Sequence, residues 1–180
     1  MSSNLVIVES PAKAKTIEKY LGKDFKVTSC YGHIRDLAKD DKSIDKENGF
    51  LPSYIPSPDK KKVIKELQSL KKKSSKVYLA TDDDREGEAI SWHLADELNL
   101  LDKKNVNRVV FHEITKNAIL ESFDNPKKID MDLVDGYKAR RVMDRIVGFE
   151  TSAPLSSAIR VGGRATGRVQ GPSPLIVNNR

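Results

Sequence analysis

Cysteine is nearly absent. One thiol, Cys30, in 180 residues excludes an internal disulfide, and three histidines leave little from which to build a zinc site. A metal held by this chain is therefore a hard cation bound through oxygen. Aromatic residues are scarce too, at 6%, and no apolar run approaches the roughly 20 residues of a membrane-spanning helix. The opening MSSNLVIVESPAK lacks the basic start and small-residue cleavage site of a secretory signal, so the expected location is the cytoplasm, with no membrane partner. There is no internal repeat and no low-complexity segment. Charge, by contrast, is plentiful. Lysine and arginine number 32 against 26 acidic residues, giving a net charge of +6 and a pI near 9.3, which favours an anionic partner such as nucleic acid. With 38% hydrophobic residues the chain can bury the core of one substantial domain, alone or with a smaller appendage.

The apolar residues are grouped in short runs of β-branched character. LVIV at 5–8 reads as a buried parallel strand, and the ESPAKAKTIEKYLG that follows carries helix signals. Ser10 can cap, Pro11 suits the first turn, Ala14, Ile17 and Leu21 share a face, and Gly22 stops the helix. The same grammar returns in FKVTS at 25–29, KVYLA at 76–80 and RVVF at 108–111, the last two followed by helices. Ile90, Leu94 and Leu98 line the first of these, and Ala118 and Ile119 lie in the second after a Thr115 cap. Strands alternating with helices predict an α/β fold, with a four-stranded, mostly parallel sheet flanked by helices over residues 1–125. Residues 40–62, polar and proline-bearing, read as a surface loop with a short edge strand near Tyr54. VIKELQSLKKK then forms a helix that turns Val63, Ile64, Leu67 and Leu70 inward. After NPKKID the character changes to an arginine-dotted helical segment, and a boundary is placed there, at 126–180.

Against the basic background, ATDDDREGEAISWHL at 80–94 crowds Asp82, Asp83, Asp84, Glu86 and Glu88 together. All strand carboxyl ends of a parallel sheet lie on one edge, where ligands bind. Glu9, His33, the acidic cluster and Glu113 each follow a predicted strand, so one fold assumption gathers them. Asp82 and Asp84 point to the same side of an extended segment, and Asp83 to the other. With Glu9 they suit Mg²⁺, which takes one or two protein carboxylates together with phosphate oxygens. The competing reading places the acids at a helix N-terminus simply because the macrodipole favours them there, and it accounts for Glu86 and Glu88. Trp92 is expected in the core.

In order and spacing, LVIVESPAKAKTI, YGHIRDL, ATDDDREGEAISWHL, FHEITKNAI, ARRVMDRIVGFE and GRVQ closely resemble the N-terminal part of the bacterial-type DNA topoisomerase I enzymes, the type IA family, beginning with its Rossmann-like Toprim domain. The resemblance implies an isomerase that relaxes negatively supercoiled DNA by Mg²⁺-dependent transient single-strand cleavage through a 5′-phosphotyrosine, strand passage and religation. It maps the glutamate beside the scissile phosphate to Glu9 and a phosphate-contacting lysine to Lys13, and an acidic metal triad to Asp82, Asp84 and Glu86, with Glu9 completing the metal set. His33 and Arg85 fall in the surround of the site, on the DNA side. Arg141 and Asp144 of ARRVMDR, and Arg168 and Gln170 of GRVQ, are implied to hold single-stranded DNA. Plainer readings stand beside these: a solvated Lys13, a loop histidine at 33, a structural pair of Arg35 with Asp36, supporting positions for His112 and Glu113, and ion pairs among Arg140, Arg141, Asp144 and Arg145.

Residues 126–180 then correspond to the incomplete start of a helical single-stranded-DNA-binding domain, and the match is loose beyond Phe149. None of Tyr20, Tyr31, Tyr54, Tyr78 and Tyr137 has the context of the family's nucleophile, so the residue that cuts belongs to the remainder of a longer polypeptide. The expectation is a monomeric, nucleoid-associated fragment inactive in cleavage by itself. A freestanding Toprim nuclease or primase-like protein is the alternative, and a non-catalytic DNA-binding module with relic carboxylates is a third.

Overall fold

A computed structural model describes residues 4–39, 43–101 and 106–158. Four parallel strands form the central sheet, in the order β2-β1-β7-β8. β1 (Asn4–Val8) pairs along its whole length with β2 (Phe25–Ser29) on one side and with β7 (Val77–Leu79) on the other, and β7 carries β8 (Val106–Arg108). Leu5, Val6, Ile7 and Val8 are wholly buried because both faces of a parallel sheet are covered, which is why this strand reads as an unbroken apolar run.

The two faces have separate cores. Leu5, Ile7, Val77 and Leu79 point one way, onto Ile64 and Leu67 of α2 (Lys61–Lys72), Ile90 and Leu94 of α3 (Arg85–Glu97) and Leu98, which caps it. Val6, Val8, Val27 and Tyr78 point the other way, onto Ile17 of α1 (Pro11–Leu21) and Ile119 of α4 (Lys116–Asp124). The helix starts follow the expected chemistry: Ser10 Oγ accepts from Lys13 N–H, Pro11 begins α1, and Thr115 Oγ1 accepts from Ala118 N–H. Gly22 ends α1 at φ 79°, a conformation costly for any residue with a Cβ.

Three expectations need correction. The fourth strand is Val106–Arg108 rather than 108–111: Val109 N–H still donates to the Leu79 carbonyl at 2.8 Å, and the apolar Val109 and half-buried Phe111 pack with Ile119 and its neighbours. The stretch at 40–62 contains the expected strand near Tyr54, β6 (Tyr54–Pro56), but also two strands that were not expected, β4 (Ile44–Asp45) and β5 (Leu51–Pro52), and a 3₁₀ turn at Pro58–Lys60. β6 lies antiparallel to β3 (Arg35–Leu37), and β4 to β5. Trp92 is only half-buried: its ring meets Tyr54 edge-on at 5.9 Å, and the Lys138 ammonium lies 4.3 Å from its centroid.

Beyond Asp124 the chain crosses back to form an isolated bridge between Lys127 and Arg108 and then enters α5, one helix from Met131 to Ala158. α5 rests on α3 and buries Val134, Tyr137 and Val142. Arg168 and Gln170 lie outside the described residues.

Candidate active site at the carboxyl edge of the sheet

The parallel arrangement places the ends of β1, β2 and β7 side by side, and three charges from two distant parts of the sequence meet there. Lys13 stands one turn into α1, where its ammonium bonds both to Glu9 Oε1 and to Asp82 Oδ1. Desolvation pulls the lysine pKa down, but the hydrogen bonds to Asp82 and Glu9 and the charges of both outweigh it, so the pKa is raised and Lys13 stays protonated. The positive group among the acids is thus a lysine. Glu9 Oε2 is buried and has no hydrogen-bond partner among the described residues, a costly arrangement for a carboxylate oxygen and one that a ligand would relieve.

Neighbouring Asp82 and Asp83 face different partners, as an extended segment favours. Asp82 faces Lys13, and Asp83 faces away to His112, whose Nδ1 lies 3.0 Å from its carboxylate. Asp84 caps α3, Oδ1 accepting from Gly87 N–H at 2.7 Å. Arg85 and Glu86 are exposed in the first turn, and Glu86 is near enough to His33 to act on it electrostatically. His33 is half-buried, stacked on Tyr137 at 5.5 Å; burial holds its pKa below the ordinary value, so it is the neutral ring near pH 7.

Among the described residues no three His, Cys, Asp or Glu side chains converge as a ready-made metal cage. The donor chemistry nevertheless fits Mg²⁺. It needs only one or two carboxylates besides phosphate oxygens, and the unpartnered Glu9 oxygen beside Asp82 supplies hard donors of that kind.

The remaining candidates scatter more widely. Arg141 reaches back from α5 to Asp36, and Arg35 pairs instead with Asp96 and with Glu97 at 3.2 Å, so Arg35 and Asp36 are not partners of one another. Arg140 lies 3.8 Å from Asp144, the ion pair anticipated at one turn. His112 is largely exposed, and Glu113 accepts from Thr115 Oγ1 at 3.0 Å.

Two residues close to the site were not anticipated in their actual roles. Glu88, read as decoration of a helix start, is 3% exposed and paired with a fully buried Arg108. Gly87 lies so close to the Asp82 backbone that a Cβ there would approach the Asp82 nitrogen and carbonyl carbon to 2.8 Å. The sequence signal for the glycine is its place three residues after the cap; for the arginine it is a charge at the head of the apolar run RVVF.

Comparison with known proteins bears on the same edge. The full-length topoisomerase I of Thermotoga maritima superposes with a TM-score of 0.88 at 43% identity; the match covers 98% of this chain and 30% of that one. Residues 4–114 match the model of the Toprim domain, a span that starts at β1, contains Glu9, Lys13 and the acidic loop, and ends just before α4. The chain belongs to the Toprim family.

Proposed function

We propose that this chain is the metal-and-phosphate portion of a type IA DNA topoisomerase, acting on a single-stranded segment of negatively supercoiled DNA as part of a longer, cytoplasmic, nucleoid-associated polypeptide. The observation that carries the reading is the Lys13 ammonium held between Glu9 and Asp82 at the carboxyl edge of the sheet, in a chain 43% identical to a topoisomerase I over 98% of its length.

Each residue has a task that its position supports. Lys13, charged and next to the N-terminus of α1, stabilises negative charge on a phosphate. Glu9, with one free oxygen, holds or returns the proton of a 3′ hydroxyl. Asp82 and Glu9, with Asp84 and Glu86 alongside, would hold Mg²⁺, which when bound neutralises phosphate charge. His33, neutral and half-buried against Tyr137, can accept or donate one hydrogen bond at the rim. Arg141 and Asp144 of α5, with Arg85 and the residues at 168 and 170, extend the contact along the strand of DNA. On this reading the attacking oxygen is supplied by another part of the polypeptide, because none of Tyr20, Tyr31, Tyr54, Tyr78 and Tyr137 has the context of the family's nucleophile, and Tyr78 and Tyr137 are besides packed in the interior.

The test is a relaxation assay on a polypeptide extended through a tyrosine-bearing domain, with a denaturing gel for protein-linked DNA. Asp82→Ala combined with Asp84→Asn, which retains a capping side chain, should abolish Mg²⁺-dependent relaxation, whereas Asp83→Ala should leave most of it. The 180-residue chain should bind single-stranded DNA with an affinity that falls steeply with salt and should form no adduct. Nicking by the 180-residue chain alone would favour the freestanding nuclease instead.

A further inference from the structure

The chemistry assigned above leaves one large charged group unused. Arg108, the last residue of β8, is 0% exposed, and a buried guanidinium is tolerated only when its N–H groups are met. They are. Nε donates to Glu88 Oε2 at 2.8 Å, Nη2 to the Asp82 carbonyl at 2.7 Å, and Nη1 to the carbonyls of Thr81 at 2.9 Å, Val109 at 2.7 Å and Leu79 at 3.3 Å. The second oxygen of Glu88 accepts the backbone N–H of Asp130 at 2.7 Å. Asp130 in turn receives the N–H groups of Asp132 at 3.0 Å and Leu133 at 3.3 Å, so it caps α5.

We propose that Arg108 and Glu88 form a positioning pair, which fixes the backbone of the acidic loop and sets the start of α5 in register with it. Three features carry this. First, Thr81 and Asp82 lie beyond the end of β7, where no sheet ladder holds them, and the carbonyls of both are taken by one guanidinium. Second, the Asp82 backbone is also packed closely by α3, which leaves no room for a side chain at Gly87. The main-chain position from which the Asp82 carboxylate reaches the Lys13 ammonium is thereby fixed. Third, Glu88 uses one oxygen on Arg108 and the other on Asp130, so a displacement of the loop is transmitted to the helix that carries Arg141 and Asp144. A lysine at 108 could not do this: an ammonium on a flexible stem lacks the planar fork needed to reach a carboxylate and two carbonyls together.

A purely structural ion pair could be exchanged for apolar residues of similar volume without further effect. The test uses that distinction on the 180-residue chain. In the double variant Arg108→Met, Glu88→Leu, three quantities are read beside the thermal midpoint: amide exchange at Gly87 and Leu133, both bonded to side chains that the pair positions; affinity for Mn²⁺ from water-proton relaxation; and affinity for a single-stranded oligonucleotide. The expected result is a folded protein with faster exchange at both amides and a Mn²⁺ dissociation constant raised about 10-fold or more, the effect typical of losing a group that orients a metal ligand. Asp83→Ala should change neither. Unchanged exchange together with unchanged Mn²⁺ affinity would overturn the proposal. The metal arm rests on the reading of this edge as a metal site: wild-type protein that binds no Mn²⁺ would refute that reading, and the exchange arm would still decide the positioning role. Should the double variant fail to fold, Arg108→Lys, which retains the charge opposite Glu88 but not the fork, decides by the same measurements.

Discussion

Replacing Gly87 with alanine perturbs the acidic loop through a single methyl group. In the middle of an exposed helix the change would stabilise by about 1 kcal/mol, because alanine loses less backbone entropy than glycine. At Gly87 the new Cβ would stand 2.8 Å from the nitrogen and carbonyl carbon of Asp82 and closer still to its oxygen, all of them backbone atoms that no rotamer change can move aside. Relief requires a shift of about 1 Å in a main chain whose Asp82 carbonyl is also held by Arg108, and overpacking of this kind costs about 1–3 kcal/mol. The net cost is therefore between nothing and about 2 kcal/mol, or at most about 8 °C in the melting temperature of a chain this size. The consequence for Asp82 is larger than that for stability, since a misplacement of about 1 Å costs roughly 100-fold in reactions that depend on alignment. Gly136 in α5 is the control, because no atom lies within 4 Å of its Cβ position. Differential scanning calorimetry of Gly87→Ala and Gly136→Ala should therefore give shifts of opposite sign, with Gly136→Ala raised by about 2–4 °C. If Gly87→Ala also raised the midpoint and left Mg²⁺-dependent relaxation of the extended enzyme intact, the account of how the loop is seated would be refuted.

Two further outcomes follow from buried groups. His93 is 0% exposed and neither ring nitrogen has a hydrogen-bond partner; burial first, then the charges of Arg35, His33 and Lys138, push its pKa down to about 3, against a weak opposing pull from Asp36. The unfolded chain binds a proton near pH 6.5 that the folded chain refuses, so stability should fall as the pH is lowered from about 6.5 toward 3; His93→Phe should flatten the slope between pH 6.5 and 4.5, where carboxylates still contribute little. Cys30, buried with its thiol donating to the Gly32 carbonyl at 3.2 Å, has its pKa pushed up to about 12 chiefly by that burial, so Ellman's reagent should modify it at the rate of unfolding in native buffer and at once in denaturant.

Legibility in the sequence followed the kind of interaction. β1, β2 and α1 were readable because strand burial leaves an apolar run and helix ends leave Ser10, Pro11 and Gly22 in fixed places. The gathering of Glu9 and Asp82 was readable too, since it follows from parallel topology alone. The insertion of Lys13 between them was not, because an i, i+4 spacing to Glu9 says nothing of a partner 69 residues away. Short antiparallel strands such as β3, β4 and β5 offer two or three residues each, too few to show a period of two. Arg108 was hidden by the opposite problem: RVVF is an apolar run whose first member is charged, and a buried guanidinium is visible only once its five acceptors are in place.

The strand order has a consequence for how the chain assembles. β1 is central in space but precedes both neighbours in sequence. Its pairing with β2 closes a local loop of the β1–α1–β2 unit, whereas its pairing with β7 joins Leu5 to Val77 across the whole of the intervening hairpins and α2. During synthesis, then, the most apolar strand emerges early and acquires one partner promptly, while its other edge stays open until KVYLA has been made. An open edge of that composition is a template for pairing with a second molecule. In this period the burden of keeping the nascent chain apart from its copies falls on the lysine-rich turns around β1, of which α1 and the helix after Pro58 carry the greater share.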